Sequence, residues 1–497
     1  ARLRKTPAIV TACIGKPTTH ELISIYYDTP ELKLLDAGIS LRVRHVSGRH
    51  ISGNWLQTLK AAGRTVAGLH QRMEWEDVIA DDHPDFTKIL DPDLIKSFAD
   101  KKLRDALIPI FRTEVRRQEW QLAFDNGDKV ELALDLGQLV AGKNLELISE
   151  LELELKAGSA GRLFDLALEI QKVVPIRLEN ISKGQRGYAY YRAQPPSIFK
   201  AQPIKLAHKA DAHSAFKQIA WECIHHLQSN QDMVLHGMDV EGVHQMRVAL
   251  RRLRSAFVLF RKVLGRENSI ALLTELSWLG DVLGKARDLD VFVTQTLPIV
   301  MTQFENHIGL QELHNKALTA QAEAYADLRA VLASQRYQAL LLTLAAWLEN
   351  ERWHDSSHNT KHTKALSIAK TSLSKHHKQL RQPGKSLLPL STEERHAIRI
   401  AAKKLRYASE FFASFYSSSK SKSFIRKLTQ LQDQLGMLND MTITENLLSQ
   451  FVGLHPKGVL NETLHIFTGW NACNATRGVV VMDKVWRKFI SKKPFWH

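Results

Sequence analysis

The chain has 497 residues, 44% of them hydrophobic and 24% charged, the make-up of a soluble globular protein too long for one ordinary core. Sixty-eight Lys and Arg against 52 Asp and Glu leave a net charge of +16, a field that concentrates polyanions such as nucleic acid, polyphosphate or anionic lipid. The sequence holds no unbroken apolar run long enough to span a bilayer, no signal-peptide core in ARLRKTPAIV, and only Cys13, Cys223 and Cys473, which excludes a membrane span, a disulfide framework and a zinc cluster and points to a reducing cytoplasm.

The first 200 residues read as β structure. Ile39–Arg44, Val130–Asp135 and Ile148–Leu155 alternate apolar and charged residues at period two. Turn signals separate such segments: Ser-Gly at 47–48, Ala-Gly at 62–63, Asn-Gly at 126–127 and Ala-Gly at 141–142. Helical inserts are expected at about 84–108 and about 160–173, and the tandem proline of 192–197 reads as a linker.

Strand parity groups the charges. Arg42 and Arg44 share a face, as do Thr58 and Lys60, then Arg72, Glu74 and Glu76. Arg112 and Arg116 share one, as do Glu131 and Asp135, then Glu150, Glu152 and Glu154. The opposite faces are mostly apolar. A sandwich would bury those apolar faces and expose the charges, whereas a barrel would enclose the charges and cover its apolar outside with helices. Carboxylates and Arg/Lys together on several strands suit Mg²⁺ or Mn²⁺ with a phosphate chain.

From about residue 205 the pattern is helical, and nearly all the basic excess lies there: residues 201–497 hold 39 Lys and Arg against 25 Asp and Glu. His244, Arg247, Arg251 and Arg254 fall on one helix face, a self-repelling stripe unless something negative neutralises it. The stripe recurs. HQMRVALRRLRSAFVLF (244–260) aligns with HAIRIAAKKLRYASEFF (396–412), matching His244 to His396, Arg247 to Arg399, Arg251 to Lys403, Arg252 to Lys404 and Arg254 to Arg406. The next helix keeps the offset, pairing Asp281 with Asp433, Gly284 with Gly436 and Asp288 with Asp440. A constant offset through two helices is the mark of an internal duplication, here two helical bundles about a pseudo-two-fold, with facing stripes lining a basic channel.

These residues resemble the tandem CYTH–CHAD proteins. YYDTPELKLLDAGISLRVR (26–44), RMEWE (72–76), FRTEVRR (111–117), ISELELELK (148–156) and SKGQRGY (182–188) carry the likeness to CYTH, a triphosphate tunnel metalloenzyme domain. GVHQMRVALRRLR (242–254), LGDVLGKARDLDVF (279–292), ERHAIRIAAKKLRYASEFF (394–412) and LQDQLGMLNDM (431–441) carry the likeness to CHAD, a conserved-histidine α-helical domain. The resemblance implies an α+β multidomain chain: an N-terminal antiparallel β-barrel of tunnel type with flanking helices over 1–192, a linker at 193–204, and an all-α domain of two pseudo-symmetric bundles over 205–497.

The resemblance further implies a metal-dependent inorganic triphosphatase joined to a polyphosphate-binding helical domain. Arg42, Arg44, Lys60, Arg72, Arg112, Arg116, Lys183 and Arg186 would hold triphosphate; Glu74, Glu76, Glu150, Glu152 and Glu154 would hold Mg²⁺ or Mn²⁺. Tyr26, Glu131 and Asp135 would take catalytic roles. His244, Arg247, Arg251, Arg252, Arg254, His396, Arg399, Lys403, Lys404 and Arg406 would bind polyphosphate, with the protein cytoplasmic and at polyphosphate granules. The family's Glu-x-Glu-x-Lys strand has no match before Tyr26, and the chain starts without Met, so that strand is expected upstream of Ala1 in a longer protein. The alternative is a non-catalytic polyphosphate-binding protein with an inactive barrel. Nucleic acid ranks last, because few aromatics for base stacking interleave with the Arg stripe.

Overall fold

The computed structural model describes residues 2–48, 51–61, 63–192, 197–237, 239–265, 267–353, 363–452 and 458–496. The chain divides into two compact units, residues 1–196 with 338–351, and residues 197–337 with 352–497. Segment 338–351, expected in the helical domain, therefore groups with the first unit: Leu178 donates its backbone N–H to Gln338 Oε1 at 2.9 Å, and Asn350 Nδ2 donates to Asp165 at 3.1 Å. Of the expected linker, residues 193–196 lie outside the described residues, as does Ala62 of the Ala-Gly turn signal.

Among the described residues the first unit has nine strands: β1 Cys13–Asp28, β2 Ile39–Gly48, β3 Ile51–Ala61, β4 Arg64–Val66, β5 Leu69–Gln71, β6 Glu74–Ile79, β7 Ile108–Ala123, β8 Lys129–Ala141 and β9 Asn144–Ala157. Seven form one antiparallel sheet in the order β6-β3-β2-β1-β7-β8-β9, and β4 pairs with β5 alone. Gly127 and Gly142 take φ of 89° and 58° in the β7–β8 and β8–β9 turns, a backbone that glycine reaches without steric cost. The expected closed barrel is corrected to an open sheet. Among the described residues β6 and β9 remain its two edges, with no strand joining them.

One sheet face is apolar and covered. Leu41, Val43 and Leu59 pack with Leu94 and Phe98 from α1 (Pro92–Ser97) and the turn after it, and Leu103 of α2 (Lys101–Asp105) joins the edge of that cluster. Farther along, Leu122, Val130 and Leu132 pack with Leu163, Leu166 and Ile170 of α3 (Gly161–Gln171). Burial of this kind contributes about 25 cal/mol per Å² of apolar surface. The other face carries the charges, and α4 (Lys183–Arg192) lies over one end of it, its Tyr188 edge-on to Phe111 at 5.1 Å. A Cβ at position 187 would fall 2.2 Å from the Phe111 ring, so Gly187 is what lets α4 approach.

The second unit is helical. The duplicated segments fall on α5 (Val240–Leu264) with α6 (Ile270–Val291), and on α7 (Thr392–Phe412) with α8 (Ser418–Val452). Asp239 caps α5 by accepting from the N–H groups of Glu241 and Gly242, and Ser391 with Glu394 forms a capping box on α7. Leu276, Leu279 and Leu283 and their counterparts Leu428, Leu431 and Leu435 are all buried, so the repeat preserves a core as well as a charge pattern. Among the described residues no helix is long and apolar enough to cross a membrane.

Candidate functional site

In the sheet unit, cross-strand register assembles a charged network from one face of β1, β2, β3, β6, β7, β8 and β9. Arg42 pairs with Tyr26 on β1 and Thr58 on β3, and Thr58 pairs with Glu76 on β6. Arg42 Nη2 donates to Thr58 Oγ1 at 2.8 Å and lies 3.6 and 3.7 Å from Glu76 and Glu74. Lys60 Nζ meets Glu74 at 2.8 Å, and Arg44 Nε donates to Ser24 Oγ at 2.9 Å. Burial, reinforced by Arg42, pulls the Arg44 guanidinium down to about 10. Burial and Arg42 likewise pull Lys60 down to about 8 against the opposing pull of Glu74.

Lys183 stands at the middle of the acidic strands. Its Nζ lies 2.7 Å from Glu150, 2.7 Å from Glu152 and 2.9 Å from Asp135. Arg117 grips Asp135 with two parallel bonds of 2.8 Å and also reaches Glu152, while Arg186 bridges Glu150 and Glu146. Burial works against the Glu152 carboxylate, but Lys183 and Arg117 hold it well below the usual carboxylate range. The same carboxylates hold Lys183 and Arg117 above their ordinary values despite burial.

Several expected residues sit elsewhere. Arg112 and Arg116 lie on the opposite face of β7, exposed and paired with Glu114 at 2.8 Å and Glu21 at 3.7 Å, so Arg117 takes the place expected for them. Their even parity is that of buried Val43, while Arg117 registers with Asp135. Glu131 and Glu154 share the charged face but meet Lys156 at 3.4 and 2.8 Å rather than Lys183. Arg72 is exposed just before β6, where its charge still acts on Lys60 and Glu74. Tyr26 is buried in the apolar end of this face, stacked on Phe111 at 4.4 Å. Arg117 and Glu146 were missing from the sequence reading.

In the helical unit, α5 and α7 bring Arg247, Arg251, Arg399 and Lys403 into one electrostatic cluster with Asp288 of α6 and Asp440 of α8. Arg247 Nη1 lies 3.4 Å from Asp288. A Cβ at 284 would fall 2.9 Å from the same nitrogen, so Gly284 clears a bed for the guanidinium, whereas the equivalent Gly436 faces open space. Asp288 and Asp440 line a small cavity with Val291, Phe292, Ile443, Thr444 and Leu447. Burial, then Arg287, depresses His244 to about 4, leaving it neutral at pH 7. Burial, followed by Arg399, Arg251 and Arg247, depresses Lys403 to about 7.

Other expected members do not converge. Arg252 is buried, its guanidinium 5.5 Å from the Phe411 ring centre and 4.0 Å from Glu410. Arg406 pairs with Glu410 at 3.7 Å; His396 and Lys404 are exposed, and Arg254 lies exposed beside Gly280. Neither His244 nor His396 belongs to a group with metal-ligand spacing among the described residues, where Asp81, Asp82 and His83 on an exposed loop make such a group.

Residues 8–188 match the CYTH domain family and residues 218–449 the CHAD domain family. The chain is 32% identical over 164 residues to an inorganic triphosphatase of Haemophilus influenzae, a match covering 33% of this chain and 44% of that protein. It is 26% identical over 270 residues to an uncharacterized protein of Mycobacterium tuberculosis, covering 53% of this chain and 48% of that one. The chain thus spans about half the length of the curated relatives it matches. Among solved structures, the CHAD domain from the plant Ricinus communis superposes with a TM-score of 0.53 at 32% identity, covering 60% of this chain and 98% of that one.

Proposed function

The chain is a CYTH–CHAD tandem, and from that premise we propose that its sheet unit hydrolyses inorganic triphosphate while its helical unit binds linear polyphosphate. The observation that carries the first half is the convergence of Asp135, Glu150 and Glu152 on one cationic nitrogen, beside Arg42, Arg44, Lys60 and Arg117. Three carboxylates within 2.9 Å of a single ammonium nitrogen are hard oxygen donors of the kind Mg²⁺ or Mn²⁺ takes, and their oxygens would have to draw closer to one another to hold an ion in place of Lys183. When bound, the metal supplies charge neutralisation and a more acidic water. Arg42, Arg44 and Lys60 would clamp phosphate oxygens on β2 and β3, and Lys183, released from the carboxylates, would turn to the phosphate chain.

Phosphate release from triphosphate with Mg²⁺ tests this reading, with Glu150→Gln/Glu152→Gln as the control. Release from the native chain that the double variant loses is expected; equal release from both would refute the assignment. The second reading is a binding protein only. It draws on the fact that Asp135, Glu150 and Glu152 are already neutralised by Lys183, Arg117 and Arg186.

For the helical unit, Arg247, Arg251, Arg399 and Lys403 would form the polyphosphate dock, with Arg254, His396 and Lys404 along the same two helices extending it. Four clustered cations against two aspartates leave a net positive site, which an anion of repeated charge relieves. This reading places the protein at polyphosphate deposits.

A further inference from the structure

Lys403 is the odd cation of the helical unit. It lies one turn beyond Arg399 on α7 and is half-buried, and α5 brings Arg247 and Arg251 to the same place. It makes no hydrogen bond or ion pair among the described residues. Lys60 of the sheet unit, the other lysine with a depressed ammonium among the described residues, has Glu74 at 2.8 Å. The carboxylate acting on Lys403 is Asp440, and burial with three guanidinium groups outweighs it. Lys403 therefore keeps a large share of free amine at neutral pH, where an ordinary lysine keeps roughly one part in a thousand.

A nucleophilic amine beside several guanidinium groups is what a phosphate-bearing electrophile requires. Arginine forks bind the phosphate and bring the attached carbonyl to the amine, and a neighbouring cation is an established way of activating a lysine. We propose that Lys403 is an acylation site for small acyl phosphates, docked by Arg247, Arg251 and Arg399, and that its acylation switches off polyanion binding. The Nζ lone pair forms the bond to the acyl carbon. The acyl C–O bond breaks, and phosphate leaves with that electron pair. The proton lost from nitrogen goes to phosphate or water, so nothing is oxidised or reduced. The product is a neutral amide that removes one of the four clustered charges. The inference rests on the polyanion site proposed above.

The test is acetylation of the full chain by acetyl phosphate, mapped residue by residue, with exposed Lys404 on the same helix as reference. Lys403 should react at least ~10-fold faster than Lys404 near pH 7.5, and its rate should level off above about pH 8. Long-chain polyphosphate should protect Lys403, and Arg251→Gln should slow its reaction with acetyl phosphate several-fold more than with an uncharged acetyl ester, which feels only the lost charge beside the amine. Equal rates at both lysines, or equal slowing with both reagents, would overturn the proposal. Polyphosphate binding is measured separately on the unmodified chain: binding without selective acylation refutes this inference, and selective acylation without binding refutes the polyphosphate reading.

Discussion

The two charged sites use opposite electrostatics. In the sheet unit most central cations have a carboxylate: Lys183 has three, Arg117 two, and Lys60 has Glu74, while Arg44 meets Ser24. In the helical unit cations crowd one another, and Asp288 and Asp440 are too few to balance Arg247, Arg251, Arg399 and Lys403. The proton affinities follow. Lys183 and Arg117, among the carboxylates, are held above their ordinary values, while Arg247, Arg399 and Lys403, like Arg44 and Lys60 at the basic end of the sheet site, are drawn below theirs. A paired network is stable alone and must exchange partners to bind anything. A cluster with more cations than carboxylates is costly alone and is favoured by an external anion.

That contrast breaks most visibly on mutation. Lys183→Met leaves Asp135, Glu150 and Glu152 to Arg117 and Arg186 alone and should cost about 2–3 kcal/mol in denaturant unfolding of the sheet unit. Arg251→Gln in the helical unit should cost less than about 1 kcal/mol or stabilise slightly, since it relieves repulsion. Comparable losses from the two variants would erase the distinction. Next in size, Arg247→Gln/Arg251→Gln/Arg399→Gln should weaken polyphosphate binding by roughly 10–100-fold at low salt and flatten the dependence of log K on log salt. Binding measured across a salt series checks this, and an unchanged slope would show that the cluster makes no phosphate contacts.

The pH dependence separates the units by window, stability rising with pH at the acid end for one and near neutrality for the other. Glu152 is depressed in the folded sheet unit, so its stabilisation is present above the unfolded value near 4.3 and is lost as pH falls below it. Lys403 is depressed in the folded helical unit, so the unfolded chain binds more protons between about pH 7 and 10, and stability rises with pH across that window. Lys403→Met should remove that rise, which unfolding curves at pH 7 and 9 would reveal. Smallest of all, Arg112→Gln or Arg116→Gln should change stability by less than about 0.5 kcal/mol and leave triphosphate hydrolysis intact, because both pairs are exposed on the other sheet face.

Much of this was legible in the sequence. Alternation on β2, β3, β8 and β9 placed Arg42, Arg44, Lys60, Glu150 and Glu152 on shared faces, and the constant repeat offset placed Arg247 and Arg399 on equivalent helices. Arg117 was missed because the even-numbered arginines of β7 were grouped by spacing within that strand alone. The Asn126-Gly127 turn held the needed signal: residues 117 and 135 lie equally far from Asn126, which sets Arg117 opposite Asp135. Arg252 was misplaced because a basic stripe does not disclose which of its members turns inward, here toward Phe411. Closure of the sheet was likewise beyond parity, which fixes faces and not edges.

The most direct test of the contrast is proton uptake on polyphosphate binding, read by calorimetry at pH 8 in two buffers of different ionisation enthalpy. A cluster completed by its anion should take up a sizeable fraction of a proton as Lys403 regains its charge, and Lys403→Met should take up none. Binding heats that do not differ between the buffers would contradict the account.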